Sequence, residues 1–386
     1  MSSLDMEIRR SSIRKFSSAL KPSDALDIIE ATPPDILKNI VLLQILRAEA
    51  VWLEGKALYE KALEKAREAY ELAANLVLPA IEIVCLAQRG NLLRRLGKLE
   101  EAETFLKKAM ECAGQAGNTN ANSWIQYEFG YLSHLKGNFD SACRQFKDSV
   151  DSAKDEDDIT GHLAGLGMLA VQYYLNGMYA DATASLDEAD IILKDTSDDF
   201  GRELDWVERW KANNSMQRAL IAIAKGCHEV AEKMFEAHPY NSDIPTAEAG
   251  KPTMYYHLGT LYFAKGDYQN AIKNLTSALR IYELRGSLTT RDECASEVIA
   301  LLGRTYIAAG DTKGVEGYFN LSLTLPADLA NRRGQAWSHI ELAKLAMQNG
   351  EKPQARNHLD AALLLTNKHY KPEREKIESL LASLEE

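Results

Sequence analysis

Cys227 and His228 adjoin in this chain, so they are the first residues to test for nucleophilic chemistry. A reactive thiol needs a base that meets it in space and a third group that orients the base, and the sequence around Cys227-His228 offers no third group. The eight histidines are otherwise dispersed, with no HExxH and no pair at helical spacing beside carboxylates. The five cysteines include no CxxC, so the common zinc spacings are absent and the odd, scattered set reads as free thiols. The acidic run Asp155-Glu156-Asp157-Asp158 lacks the alternating ligands, glycine and terminal glutamate of a calcium loop and reads as a solvated turn. No GxSxG, no GxxxxGK[ST] and no GxGxxG after a strand occurs. The chemistry-bearing residues therefore predict no catalytic set, no metal and no cofactor, and the reading turns to binding.

Bulk properties narrow the partner. Net charge is -11, which opposes broad binding to nucleic acid or to an anionic membrane. Apolar residues make up 46% and charged residues 26%, a globular composition. The N-terminal MSSLDMEIRRSSIRKFSSAL carries charges where a signal peptide needs an apolar core. Its Arg9-Arg10-Ser11-Ser12 would suit a basophilic kinase, but reads as a charged chain end. The apolar run at 40–46 is too short to cross a bilayer. A cytoplasmic protein is expected.

The organising feature is a repeat. Small residues are followed seven positions later by glycine in the pairs Ala48/Gly55, Gly90/Gly97, Gly130/Gly137, Ala170/Gly177, Ala219/Gly226, Gly259/Gly266, Gly303/Gly310 and Ala343/Gly350. Successive copies are 42, 40, 40, 49, 40, 44 and 40 residues apart. An alanine recurs five after the glycine at Ala102, Ala142, Ala182, Ala231, Ala271 and Ala355. Val315 replaces it in the seventh copy, and in the first it is displaced to Ala62. Each copy has an apolar run at helical spacing, a glycine able to take the left-handed turn, and a second amphipathic helix. Each copy is thus an antiparallel helical hairpin, which can bury its apolar faces only by stacking on its neighbours. The expected fold is all-α: a right-handed superhelical α-solenoid of about eight hairpins with a C-terminal capping helix. Residues 1–40 form a helical or partly flexible N-terminal segment, 41–366 the array, and 367–386 the cap, whose apolar stripe is Ile377, Leu380, Leu381 and Leu384. The 49-residue step marks an insertion near 194–210, and a loop at 238–252 breaks the helical pattern.

The stretch YYHLGTLYFAKGDYQNAIKNLTSALRIY resembles the tetratricopeptide repeat family, through Leu258, Gly259, Tyr262, Ala271, Leu275 and Ala278. Its period of about 40, against 34 in the basic repeat, is similar to that of kinesin light chains, LGN/Pins-type scaffolds and Rap-type peptide sensors. The resemblance implies a concave groove lined by the first helix of each hairpin. With the small residue of each copy as position 8, the stripe at positions 2, 5, 9 and 12 faces that groove. The groove candidates are Asn91, Arg94 and Arg95; Trp124, Tyr127, Tyr131 and His134; Tyr174; Tyr256 and Phe263; and Arg304, Trp337 and Lys344. Aromatic and arginine side chains are typical binding anchors.

The family's carboxylate clamp, which grips Hsp70 and Hsp90 tails, is not matched. Ala87 stands at position 5 beside Asn91 at position 9, Glu128 takes position 6 of the next copy, and Ala164 and Met168 replace the clamp's basic residues. The resemblance thus implies a non-enzymatic scaffold or adaptor that holds a peptide segment of a partner, other than an Hsp tail, in its concave face. Two alternatives stand beside it. One is a Rap-like peptide- or ligand-sensing regulator, although such proteins carry a three-helix N-terminal bundle, for which 40 residues are too few. The other is an enzyme, or enzyme subunit, built on the array. Self-association is a further mode, with the groove taking the chain's own N-terminal segment.

Overall fold

The computed structural model describes residues 34–56, 58–117, 121–199, 204–236, 251–284, 295–325, 332–366 and 370–385. Among these, every regular element is a helix. In chain order they are α1 (Pro34–Gly55), α2 (Tyr59–Asn75), α3 (Pro79–Arg95), α4 (Leu99–Ala116), α5 (Asn122–Leu135), α6 (Phe139–Asp155), α7 (Ile159–Leu175), α8 (Tyr179–Asp199), α9 (Leu204–Ala224), α10 (His228–Glu236), α11 (Lys251–Lys265), α12 (Tyr268–Leu284), α13 (Ala295–Ala308), α14 (Val315–Thr324), α15 (Arg332–Gln348), α16 (Lys352–Thr366) and α17 (Lys371–Glu385). No described helix is long and apolar enough to cross a membrane. Two compact units divide the chain. Unit one comprises the described residues up to Leu132 with Ser141–Leu166, and unit two Ser133–Asp140 with those from Gly167 onward. From α1 to α4 and from α8 to α17 a helix packs on the next in sequence, and first helices such as α11, α13 and α15 also touch one another. The 1–33 segment and most of the 238–252 loop lie outside the described residues, as does the 200–203 part of the 194–210 insertion.

Position 8 explains why the hairpins close. A Cβ placed on Gly90 would fall 2.7 Å from Leu106 Cγ, and one on Gly130 2.7 Å from Phe146 Cδ1. Gly259 stands in the same relation to Leu275 (2.6 Å), and Gly303 to Phe319 (2.8 Å). In each case the bulky residue 16 positions on lies directly on the glycine, so the side chain missing from the first helix makes room for the apolar knob of the second.

The turns show what sets the 40-residue period. Seven of the eight predicted turn glycines, from Gly97 to Gly350, have positive φ; Gly55 does not. Between them stand further left-handed residues: Val77 (φ 56), Gly117 (φ 61) and Asp157 (φ 57). Left-handed residues thus recur every 20 positions from Val77 to Gly177. Apart from Gly117, each closes a helix with the same pair of bonds, as in Gly97 N–H to Arg94 C=O (2.8 Å) with Lys98 N–H to Leu93 C=O (2.9 Å), and Val77 N–H to Ala74 C=O (3.1 Å) with Leu78 N–H to Ala73 C=O (3.0 Å). A β-branched residue in this conformation is strained. Val77 is 79% exposed, so its side chain offsets little of that strain. Val77→Gly should therefore raise stability by about 1 kcal/mol, read as an upward shift of the denaturation midpoint in urea; a lower midpoint would count against this backbone geometry.

The first repeat corrects the predicted register. Ala48 is exposed, whereas Ala50 is fully buried. The closing bond runs from Leu58 N–H to Leu53 C=O (3.0 Å), two residues later in the frame than Gly55 would place it. Gly55 belongs to the last turn of α1. With Ala50 as the small residue, Ala62 is no longer displaced and the step to Gly90 becomes 40, like its neighbours. The acidic turn needs a correction too. Asp158 is 7% exposed, and Ser123 donates to Glu156 from its backbone N–H (3.1 Å) and its hydroxyl (2.8 Å), so these two residues pack into an inter-helix joint, while Asp155 and Asp157 are exposed as a solvated turn would have them.

Candidate functional site

In unit one the first helices α3 and α5 lie side by side, and a buried polar network joins them. Asn91 Nδ2 donates to Glu128 Oε1 (2.6 Å), and Arg94 Nε donates to Glu128 Oε2 (3.0 Å). Trp124, one turn before Glu128 on α5, donates its indole N–H to Oε1 (3.2 Å). The Arg94 guanidinium lies 4.2 Å from the Tyr131 ring centre. Tyr127 continues the aromatic row, tilted on Tyr131 at 6.1 Å and edge-on to Phe146 at 5.7 Å. Glu128 is 2% exposed and Arg94 3%, so this pair is desolvated and held by directed bonds. Arg95 turns the other way, to Glu54 of α1 (3.6 Å), and stands 5.9 Å from the Tyr59 ring.

Unit two holds a larger network, built from α11, α13, α15 and α17 with Tyr174 from the C-terminal end of α7. Arg333 is its hub. Its Nε donates to Glu373 Oε1 (2.8 Å) and its Nη1 lies 3.8 Å from Glu297 Oε2. Its guanidinium is 4.8 Å from the Trp337 ring and 5.8 Å from that of Tyr174. Trp337 Nε1 donates to the same Glu373 oxygen (3.0 Å), and the Tyr256 hydroxyl donates to Glu297 Oε2. Burial alone would lower the Arg333 pKa, but Glu373 and then Glu297 raise it well above the ordinary guanidinium value. Burial pushes the Glu297 carboxyl up, opposed by Arg333 and the Tyr256 hydrogen bond. Beside this hub, Arg304 stacks between Phe263 (5.3 Å) and Trp337 (5.2 Å) and lies 3.6 Å from Glu341. Lys344 also donates to Glu341 (2.9 Å). A cavity of about 270 Å³ opens here, lined by Arg304, Trp337, Ile340, Glu341, Glu373 and Lys376 among others.

The predicted residues therefore fall into two groups. Asn91, Arg94, Trp124, Tyr127 and Tyr131 share one network in unit one, with Arg95 on its far side. Tyr174, Tyr256, Phe263, Arg304, Trp337 and Lys344 share the network of unit two. His134 stands apart, its Nδ1 3.0 Å from Gln172 Nε2. Of the anionic half of the networks, Glu297 stands at position 2 of its copy, on the stripe, but is not among the groove candidates; Glu128 and Glu341 at position 6 and Glu373 lie off it, as does the hub Arg333. A signal for part of it is present in the sequence, since Trp124/Glu128 and Trp337/Glu341 repeat the same pair at positions 2 and 6. Among the described residues no three metal-binding side chains gather.

Family models described as tetratricopeptide repeat match residues 83–116 and 252–283. No curated protein sequence matches the chain. Among solved structures, the apo form of the quorum sensor NprR from B. thuringiensis aligns with a TM-score of 0.60 at 13% identity, covering 94% of this chain and 97% of that one. NprR in complex with its cognate peptide NprX gives 0.57 at 14% identity, covering 81% and 88%. A Rap protein complexed with competence and sporulation factor gives 0.55 at 15% identity, covering 89% and 97%. At these identities the likeness is one of fold.

Proposed function

We propose, on the premise that this chain is a helical-repeat protein of the tetratricopeptide family, that it is a non-catalytic adaptor that binds a peptide segment of a partner protein along the first-helix face of its hairpins. The observation that carries this reading is the cavity of about 270 Å³ in unit two, walled by Trp337 and Arg304 from the predicted groove stripe. Aromatic walls and a guanidinium held in place by stacking are pre-organised, so binding costs little side-chain entropy. The fold neighbours support it: NprR has been crystallised with the peptide NprX, and a Rap protein with competence and sporulation factor. The free thiols Cys85, Cys112, Cys143 and Cys227 fit a cytoplasmic setting.

A second reading is a peptide-sensing regulator, in which the bound peptide changes the protein's conformation. The near-complete coverage of the quorum sensor's chain favours it. One experiment addresses both. A random peptide library is selected on the wild type and on a Tyr127→Ala/Tyr131→Ala variant and an Arg304→Ala variant, with circular dichroism to verify folding. Peptides retained by wild type and lost by a folded variant are the expected result. A library that yields no binder, or binders indifferent to both variants, would overturn the groove. Small-angle scattering with a selected peptide then separates adaptor from sensor, since only the sensor's radius of gyration should change.

A further inference from the structure

Position 7 of each copy lies on the helix face opposite the stripe at 2, 5, 9 and 12. It is phenylalanine or leucine in five copies and arginine in two, Arg89 and Arg218, so these two bring a charge to a place that is otherwise apolar. Arg218 is neutralised there. It donates to Asp187 (2.7 Å) and Asp190 (2.7 Å) on α8, the second helix of the preceding hairpin. Those aspartates stand five and eight residues after Ala182, and the same offsets from Ala62 on α2 give Arg67 and Tyr70. Arg89 therefore meets a cation and a phenol ring where Arg218 meets two carboxylates.

The surroundings of Arg89 supply no substitute. Its guanidinium lies 4.0 Å from the Phe105 ring of α4 and 5.5 Å from the Tyr70 ring of α2, so two aromatic side chains hold it in place. Among the described residues it has no carboxylate within 4.0 Å, and its Nε is buried with no partner. Glu71 on α2 is engaged by Arg67, at 3.9 Å. Lys108, exposed on α4, stands 5.5 Å from the Phe105 ring and adds charge of the same sign. Burial lowers the Arg89 pKa and Arg67 lowers it further, against Tyr70 and Glu71. A half-buried guanidinium without a counter-ion is costly, and a charge-assisted bond made to it in a partly dry joint is worth more than one in open water.

From this comparison between two copies in one chain we infer that the joint of α2, α3 and α4 is a binding site for an oxyanion, a carboxylate or phosphoryl group on a side chain of a partner protein, with Arg89 as its anchor and Arg67 beside it. Arg89 points away from the stripe, so the site is separate from the groove and does not rest on the peptide-binding reading.

The test uses the full chain labelled with fluorine-19 phenylalanine, the Phe105 signal being assigned through Phe105→Leu. The probes are inorganic phosphate and two blocked tripeptides, one with phosphoserine and one with glutamate at its centre, titrated at constant ionic strength. Two charge-assisted bonds give a dissociation constant on the order of 10 mM. A saturable shift of the Phe105 signal with at least one tripeptide is expected, and the tighter of the two says which side chain the site takes. Arg89→Met keeps the methylene stem, removes the charge and should abolish the shift. Arg67→Asp places at an exposed position the carboxylate that Arg218 has in Asp187, and should weaken the anion about tenfold or more with the urea midpoint unchanged or raised. Arg218→Met should respond as wild type does. A shift with phosphate alone would overturn the partner and leave a site for free anions. No saturable shift with any probe, or one that Arg89→Met and Arg67→Asp both retain, would overturn the site.

Discussion

Gly334→Ala is expected to destabilise unit two by about 3 kcal/mol or more, the upper end of what one added methyl costs in a packed interior. A Cβ on Gly334 would collide with the backbone of α13, at Ser296 C and Glu297 N, and with the Ser296 hydroxyl. At position 8 the obstacle is a side chain that can turn aside; here it is main chain held by its own helical bonds. Helix α15 would have to back away from α13, and the neighbouring ion pair of Arg333 with Glu297, at 3.8 Å, would open first. The loss of packing would therefore be compounded by a buried carboxylate deprived of its cation. Gly317→Ala on α14 is the control. No atom lies within 4 Å of its added methyl, and alanine suits a helix better than glycine by about 0.5–1 kcal/mol, so this variant should unfold at or slightly above the wild-type midpoint. Urea unfolding monitored by circular dichroism checks both. Equal stability of Gly334→Ala and wild type would mean that α13 and α15 do not pack this closely.

Gly334 also shows why part of the fold is legible in the sequence and part is not. The small residue at position 8 and the glycine seven later are dictated within one hairpin, so they recur at a fixed spacing and can be read directly. Gly334 answers an approach between neighbouring hairpins at one place in the array, and nothing repeats to reveal it. The half-period turns are hidden for a related reason: Val77 and Asp157 take the left-handed conformation without being glycine, because the bonding of the flanking helix ends dictates it. In the first repeat a glycine inside α1 imitates the turn and shifts the frame by two. The groove stripe follows from helix geometry, and it names the aromatic members of both networks and most of the basic ones, though not the hub Arg333. Their acidic partners are passed over, even Glu297 at stripe position 2, because a glutamate reads as a solvated residue until a cation from the next helix is placed against it. Glu373 comes from the terminal helix, where sequence suggests only a polar outer face, yet it is 7% exposed and holds Arg333 and Trp337 together.

Truncating Glu128 should cost as much as the glycine change, for an electrostatic reason. Glu128→Ala removes the acceptor for Asn91, Arg94 and Trp124 at once. It strips a guanidinium that is 3% exposed of this carboxylate, and breaking such a pair from one side typically costs about 3–5 kcal/mol. The companion variant Arg94→Met/Glu128→Leu removes both charges and keeps apolar bulk between α3 and α5. Replacing a buried pair by packed apolar groups is often neutral, so the double variant should recover most of what Glu128→Ala loses. A double variant as unstable as Glu128→Ala would mean that Asn91 and Trp124, and not the ion pair, carry the network. The same protein also separates structure from recognition. If Arg94 only braces the two helices, Arg94→Met/Glu128→Leu should bind the library-selected peptides as wild type does. If the double variant is stable but no longer binds those peptides, Arg94 reads the ligand through the guanidinium that it lays over Tyr131, and unit one takes part in recognition.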